Sequence, residues 1–374
     1  MTAVAAFGLF LGAASSNGQY IQRNLAGFQP GMGHFTDPKL NGWGLAFAPD
    51  GPFCVADTAT GVATFYLPSG MPLPMTITIP AAPGQPLGPV GTPTGIAYNS
   101  TSEFVISKNG KSAPALFLFD TLDGLICGWN PEVDPENAII LVDNSTELVP
   151  ASYTGLALGQ NSSGPVLYAA DSGAGPEPSL SNNRVDMFDG SFTSLGSFTD
   201  PDIPIQFPED TVFQVEFEDG RLYVTYAGFT APFGGVVDIH DGDGKLLTPS
   251  HFIANRPGAG PLSNPWAIVR APRDFGRFSN TLLIGNVEDG KINAFDPEHG
   301  DFLGTLANLQ GQPIVIPGLW DLAFGGGTTV NGKENHLYFT AGPDASDFAG
   351  NGLFGEIQPP GRSQQANRAG HRKD

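Results

Sequence analysis

Trp43-Gly44-Leu45-Ala46-Phe47 is a short apolar run, and the chain returns to it five times. The copies are Thr94-Gly95-Ile96-Ala97-Tyr98, Thr154-Gly155-Leu156-Ala157-Leu158, Phe213-Gln214-Val215-Glu216-Phe217, Trp266-Ala267-Ile268-Val269-Arg270 and Trp320-Asp321-Leu322-Ala323-Phe324. Their first residues are 51, 60, 59, 53 and 54 positions apart. A period near 50 with several strands per unit is the pattern of a β-propeller, in which each unit is one radial blade.

Working outward, each copy is followed by a second apolar run. These are Phe53 to Asp57, Phe104 to Ser107, Leu167 to Asp171, Leu222 to Tyr226, Leu282 to Asn286 and Leu337 to Ala341. Third strands are expected over Val62 to Tyr66, Leu125 to Asn130, Arg184 to Asp189, Val236 to Asp241 and Lys291 to Asp296. Fourth strands are expected over Met75 to Ile79, Ala138 to Val142, Leu195 to Thr199, Leu246 to Phe252 and Phe302 to Leu306. Turn-forming stretches such as Asp241-Gly242-Asp243-Gly244 separate the third from the fourth. The sixth unit ends with Gly352 to Ile357 as its third strand, and the run Tyr20 to Leu25 precedes the first unit. That spare strand completes the last blade and closes the ring, so that no backbone edge is left unpaired. The reading is an all-β protein with a single six-bladed β-propeller of four-stranded blades, the last closed by the N-terminal strand. It divides the chain into an apolar leader at 1–19, the propeller at 20–357 and a polar, disordered tail at 358–374.

Composition agrees. The 374 residues include 50 Gly and 34 Pro, more than a fifth of the chain. A helix interior loses roughly 1 kcal/mol per Gly and about 3 per Pro relative to Ala, so helical bundles and doubly wound α/β folds are excluded. Hydrophobic residues make up 40%, with 27 Phe, which supports a packed core rather than disorder. The formal charge is −20. Such a surface repels phosphate backbones, and no basic stripe is present, so nucleic acid is not an expected partner. Cys54 and Cys127 do not make a disulfide framework and read as buried free thiols, with a bridge between them as the alternative. The stretch Thr2 to Ala14 is apolar and small, too short to span a bilayer, and like the core of a signal peptide without its basic start. Export to the periplasm or the extracellular space is therefore expected, with no transmembrane segment, and the chain is expected to act as a monomer.

Three stretches resemble a family of bacterial exported β-propeller proteins associated with PEP-CTERM sorting. The first is His34-Phe35-Thr36-Asp37-Pro38-Lys39-Leu40 running into Trp43 to Phe47 and Gly51-Pro52-Phe53. The second runs from Pro261-Leu262-Ser263-Asn264-Pro265-Trp266 through Leu283 to Asn286 and Ile292 to Pro297. The third joins Gly318-Leu319-Trp320 to Phe324, Leu337 to Pro343 and Gly352 to Gly355. The resemblance covers roughly 20–357 and implies a propeller and export, but no particular activity. The C-terminus departs from the family, because the expected Pro-Glu-Pro and apolar sorting tail are missing. At the level of the fold, the pattern is also similar to six-bladed propellers of the NHL and SMP-30 type, which include lactonases.

Familiar catalytic signatures are absent: no Gly-x-Ser-x-Gly, no His-Glu-x-x-His, and no phosphate loop around Asn109-Gly110-Lys111-Ser112. Asp241 to Gly244 superficially resembles a calcium loop but reads as a turn. Propeller geometry suggests where chemistry can sit. Starts of innermost strands and ends of second strands share one face beside the channel. Second strands bring Asp57, Lys108, Asp171, Tyr226, Asn286 and Gly342 there; first strands bring Asn41, Trp43, Thr92, Tyr153, Asp210, Asn264, Trp266 and Trp320. Asp57, Asp171, Asn264 and Asn286 are hard oxygen donors suited to Ca²⁺ or another divalent cation, although Asp and Asn after a strand also simply cap turns. Trp43, Trp266, Trp320 and Tyr226 are the candidate ligand-binding side chains. His34 and Asp37 are the candidate bases.

Two functional readings follow. In the first, the protein is a binding or scaffold module that recognises a small molecule, a glycan or a protein through its channel face. In the second, it is a divalent-metal-dependent hydrolase, such as a lactonase or esterase, with the metal in the channel. A purely structural role is the third possibility.

Overall fold

The computed structural model describes residues 19–83, 90–173, 181–203, 210–228, 232–248, 251–255, 258–342 and 351–360. Alternating apolar and small residues bounded by Gly, Pro, Asn and Asp give short antiparallel strands, and these assemble into six sheets around a common axis. Blade 1 comprises Gly42–Phe47, Phe53–Asp57, Val62–Tyr66 and Pro72–Thr78. Blade 2 comprises Pro93–Tyr98, Phe117–Thr121, Leu125–Trp129 and Ile139–Asp143. Blade 3 comprises Tyr153–Asn161, Gly164–Asp171, Arg184–Asp189 and Ser194–Phe198, and blade 4 Asp210–Glu218, Arg221–Gly228, Gly235–His240 and Ile253–Asn255. Blade 5 comprises Pro265–Arg270, Leu282–Asn286, Ile292–Phe295 and Phe302–Thr305. The first strands of successive blades touch in order, and that of the sixth returns to that of the first, so the ring is closed.

Closure follows the expected route. Blade 6 consists of Leu319–Phe324, Leu337–Ala341 and Leu353–Gln358, with Ile21–Gly27 as its outermost full strand. Ile21 pairs with Gln358 and Gly27 with Leu353 in antiparallel register, with one irregularity between Asn24 and Ala26. A two-residue strand, Phe35–Thr36, adds in parallel outside Ile21–Gly27.

The core lies between blades rather than in a single centre. One cluster joins blades 1 and 2 and contains both cysteines, which are buried free thiols. Another joins blades 3 and 4 through Tyr168, Val185, Val212, Val224 and Tyr226. Each blade thus buries both faces against its neighbours, which is why its strands read as nearly continuous apolar runs.

Two elements differ from the sequence reading. The run Phe104 to Ser107 is not the second strand of blade 2. It begins an inserted hairpin, Val105–Lys108 against Lys111–Pro114. Asn109 and Gly110 both have positive φ, 52° and 79°, as a two-residue turn of this kind demands. The true second strand is Phe117–Thr121, so Asp120 rather than Lys108 stands near its channel end. In blade 4 the described residues of the expected fourth strand, Leu246 to Phe252, contribute a bridge from Leu246 to His240 and a hydrogen bond from the Leu247 amide to the Ile239 carbonyl rather than a strand. Pairing with Gly235–His240 is then made by Ile253–Asn255.

Candidate functional site

The three tryptophans at the first-strand starts do converge, but on one another. Trp43 stacks on Trp320 with centroids 3.5 Å apart, and Trp266 meets both edge-on at 6.5 and 6.0 Å. Phe213 packs edge-on against Trp320. The Trp266 indole N–H donates to the Thr154 carbonyl in blade 3 at 2.9 Å, so the ring reaches across the channel. All three indoles are buried. Among the described residues, this aromatic plug fills the end of the channel where the inner strands start. Tyr226 is not part of it: its ring belongs to the packed interface between blades 3 and 4.

Beyond the plug the channel opens into a cavity of about 450 Å³, lined by the second halves of all six inner strands. Exposure rises along these strands: Trp43, Gly44 and Leu45 are buried, whereas Ala46 and Phe47 are half-buried, and Glu216, Phe217 and Glu218 likewise follow buried Phe213 to Val215. Solvent therefore enters from the end bearing the first hairpins, opposite to the face singled out from sequence.

Alternation along a strand puts the second and fourth residues of each repeat on one face. The fourth positions are Ala46, Ala97, Ala157, Val269 and Ala323, with Glu216 as the exception. The second positions are Gly44, Gly95, Gly155, Ala267, and the two exceptions Gln214 and Asp321. The glycines are steric necessities. A Cβ on Gly95 would lie 2.4 Å from the Leu156 amide nitrogen of the next blade, and one on Gly155 would strike the Gln214 amide group.

Polar chemistry in the cavity is thus concentrated on blades 4 and 6. Asp321 accepts the Leu45 and Leu322 amides, both at 2.7 Å, and so ties blade 6 to blade 1. Burial nevertheless pushes its carboxyl up to about 7. Burial pushes Glu216 well above the usual carboxylate range, and the charges of Asp321 and Glu218 push in the same direction. Glu218 is raised by burial and by Asp219, with Arg270 opposing. Phe47, Tyr98, Phe217 and Phe324 supply aromatic surface around these acids and the single arginine, Arg270.

The four residues expected to hold a cation have distinct surroundings. Asp57 accepts the Asn41 amide at 2.6 Å and the Thr64 hydroxyl at 2.6 Å. Asp171 accepts the Ser152 and Gly173 amides and the Asn182 side chain, with Arg184 at 3.4 Å. Both carboxylates hold the start of their own blade's first strand. In blade 5, Asn286 donates to the Pro261 carbonyl and to Asp289, while the side-chain oxygens of Asn286 and Asn264 are buried without a hydrogen-bond partner. Asn264 takes a positive φ of 54° just before the inner strand. Asp37 is buried and accepts the Tyr66 hydroxyl at 3.0 Å, which continues through Thr64 to Asp57. His34 is exposed, edge-on to Phe35 beside the outermost strand of the last blade, and not at the channel mouth.

A separate polar cluster was missed. Asp200, Asp238 and His251 bring possible metal-ligating atoms within 4.8 Å of one another. His251 Nδ1 lies 2.9 Å from Asp238 Oδ1 and 3.6 Å from Asp200 Oδ2. Burial and the adjoining Asp200 carboxyl push Asp238 up to about 7, with His251 opposing. The Tyr226 hydroxyl is near both carboxylates, which raise it further after burial has done so. No local spacing announces this cluster, because Asp200 leaves blade 3 while Asp238 and His251 belong to blade 4. The channel acids had a visible signal: Gln214, Glu216 and Asp321 break a run of glycine, alanine and valine at fixed repeat positions.

No family model matches the chain. Among solved structures, a candidate gluconolactonase aligns over 91% of this chain and 92% of its own, with a TM-score of 0.54 and 14% identity. An α-L-arabinofuranosidase from Fusarium graminearum aligns over 91% and 98%, with a TM-score of 0.51 and 10% identity. At these identities the likeness is one of fold, and it agrees with the propeller read from the repeats. The matching relatives are viral rather than bacterial, and the comparisons support the propeller but not the association with sorting. Uncharacterized protein L690 of Acanthamoeba polyphaga mimivirus is 28% identical over 338 residues, covering 86% of this chain and 81% of the relative. Uncharacterized protein R648 of the same virus is 30% identical over 339 residues, covering 86% of this chain and 76% of the relative. With likeness of that extent, the chain belongs to the family of mimivirus protein R648.

Proposed function

We propose that the protein is a binding module whose site is the cavity at the hairpin end of the channel, taking a small molecule with a cationic or hydroxyl-rich head and an apolar flank. The observation that carries this reading is the placement of Glu216, Glu218 and Asp321, with Gln214 and the single arginine Arg270, in a cavity whose remaining lining is aliphatic and aromatic. Carboxyl groups in such surroundings gain most from a ligand that donates hydrogen bonds or positive charge, because burial weakens their hydration. The aromatic faces suit the apolar side of a sugar or the alkyl part of an amine. The Trp43, Trp266 and Trp320 cluster closes the other end and gives the cavity a floor.

A thermal-shift screen of small amines and mono- and disaccharides tests the reading. Ligands that bind the native state raise the melting temperature by mass action. The expected result is a set of hits whose effect is lost in Glu216→Gln and kept in Asp57→Asn. An empty screen, or hits indifferent to Glu216, overturns it.

The hydrolase reading draws its support from the unpartnered oxygens of Asn264 and Asn286. It would place Ca²⁺ near the start of blade 5, with Asp57 and Asp171 needing to leave their present partners to join. Calcium-dependent cleavage of an ester or lactone, lost in Asn286→Ala, would favour it over simple binding. Export belongs to the same proposal: 1–19 would be the leader, 20–357 the secreted propeller and 358–374 a polar tail. Residues 1–18 and 361–374 lie outside those described. Among the described residues, no helix is long and apolar enough to cross a membrane. A secretion assay with and without 2–14 tests the leader.

A further inference from the structure

The Asp200, Asp238 and His251 cluster lies off the channel, and none of its members lines the cavity. It sits where the chain leaving blade 3 meets the third strand of blade 4. Asp238 stands two residues after Val236, so both face the packed interface between blades 3 and 4. Asp238 and Asp200 are 0% and 1% exposed. Among the described residues, His251 is the one basic side chain within 4 Å of either carboxylate, while His240 acts on Asp200 from farther away. Asp238 Oδ2 is buried with no hydrogen-bond partner. Two interior carboxylates facing each other beside one imidazole repel unless a proton or a cation is shared between them. As a donor set for a dication they are well matched. Two carboxylates and a neutral imidazole neutralise a charge of +2, so the occupied site adds no net charge to a dry interface.

We propose that Asp200, Asp238 and His251 form a structural zinc site that clamps blade 3 to blade 4. The mixed nitrogen and oxygen donors, three in number, favour Zn²⁺ over Ca²⁺, which takes six to eight oxygens. The Tyr226 hydroxyl lies near both carboxylates without a hydrogen bond to either. Binding at this interface joins segments distant in sequence and therefore stabilises the fold rather than a reaction.

The test is metal content after chelation and reloading of the full chain with Zn²⁺, alongside a thermal melt. The expected result is one Zn²⁺ per chain and a higher melting temperature with Zn²⁺, with affinity at least 100-fold weaker in Asp238→Asn and in His251→Ala. Glu298→Gln, exposed on the blade 5 turn, should keep the full zinc complement. A second readout is the visible absorption of Co²⁺ bound in place of zinc, which should appear in the wild type and vanish in His251→Ala. If Asp238→Asn fails to fold, His251→Gln gives the same comparison at a less buried position. Absence of stoichiometric zinc in the reloaded wild type overturns the proposal, as does equal zinc in wild type and a folded His251 variant.

Discussion

Asp321→Asn separates the electrostatics of the channel from its packing. In the folded chain the Asp321 carboxyl is moved from an ordinary 3.8 to about 7 by burial, although it accepts two backbone amides. A carboxyl raised on folding binds its proton more tightly in the native state. Its contribution therefore favours the fold below about pH 4 and is lost as pH rises to about 7. At about 1.4 kcal/mol for each pH unit, the interval from pH 5 to 7 sets a ceiling of about 3 kcal/mol. The carboxyl borders a cavity that admits water, so screening reduces this to an expected effect of about 1–2 kcal/mol. Asparagine keeps an oxygen for the Leu45 amide and cannot ionise. The stability of the variant relative to wild type, from denaturant midpoints, should therefore rise by about 1–2 kcal/mol between pH 5 and pH 8, whatever fixed cost the variant carries from losing one of the two amide contacts. A wild type that is superior by the same margin at both pH values would refute the assignment of a buried, proton-binding Asp321.

Other outcomes follow from the same structure. Gly95→Ala should lower stability by about 1–3 kcal/mol by denaturant titration, because the new Cβ meets the Leu156 backbone nitrogen at 2.4 Å rather than a movable side chain. Thr64→Val should cost about 1–3 kcal/mol, since it removes the 2.6 Å hydroxyl donor from buried Asp57 and breaks the connection through Tyr66 to Asp37; a neutral result would show that this chain of hydrogen bonds contributes little. Ala323→Cys should react with a small thiol reagent in the native state, about one label per chain, against none for wild type, whose Cys54 and Cys127 are buried with thiols pushed upward by that burial. Labelling of the native thiols would contradict the packing between blades 1 and 2.

The propeller was legible because the inner strands repeat a pattern that sterics enforce. Gly95 and Gly155 sit where the neighbouring strand leaves no room for a Cβ, and the apolar residues beside them pack between blades. Closure by the N-terminal strand was legible from arithmetic, since unit six had three strands and one was left over. The hairpin Val105–Pro114 was missed although Asn109-Gly110 is the turn signal for it, because the apolar run before it matched the expected second strand. The meeting of Trp43, Trp266 and Trp320 could be seen in the repeat, because residues at the same repeat position face the same narrow axis, where these large rings stack on one another. The polar residues of the cavity could have been found as departures from the repeat. Asp200, Asp238 and His251 could not, because their proximity depends on how two blades pack.

The central claim, a ligand site in the hairpin-end cavity, is tested most directly by protection of a thiol placed there. The measurement is the labelling rate of Ala323→Cys with and without a saturating amine or sugar identified by the screen. The account predicts that labelling slows at least tenfold when the ligand is bound and that protection disappears when Glu216→Gln is added. A ligand that binds with unchanged affinity while the thiol reacts at its original rate would place the site elsewhere and contradict the account.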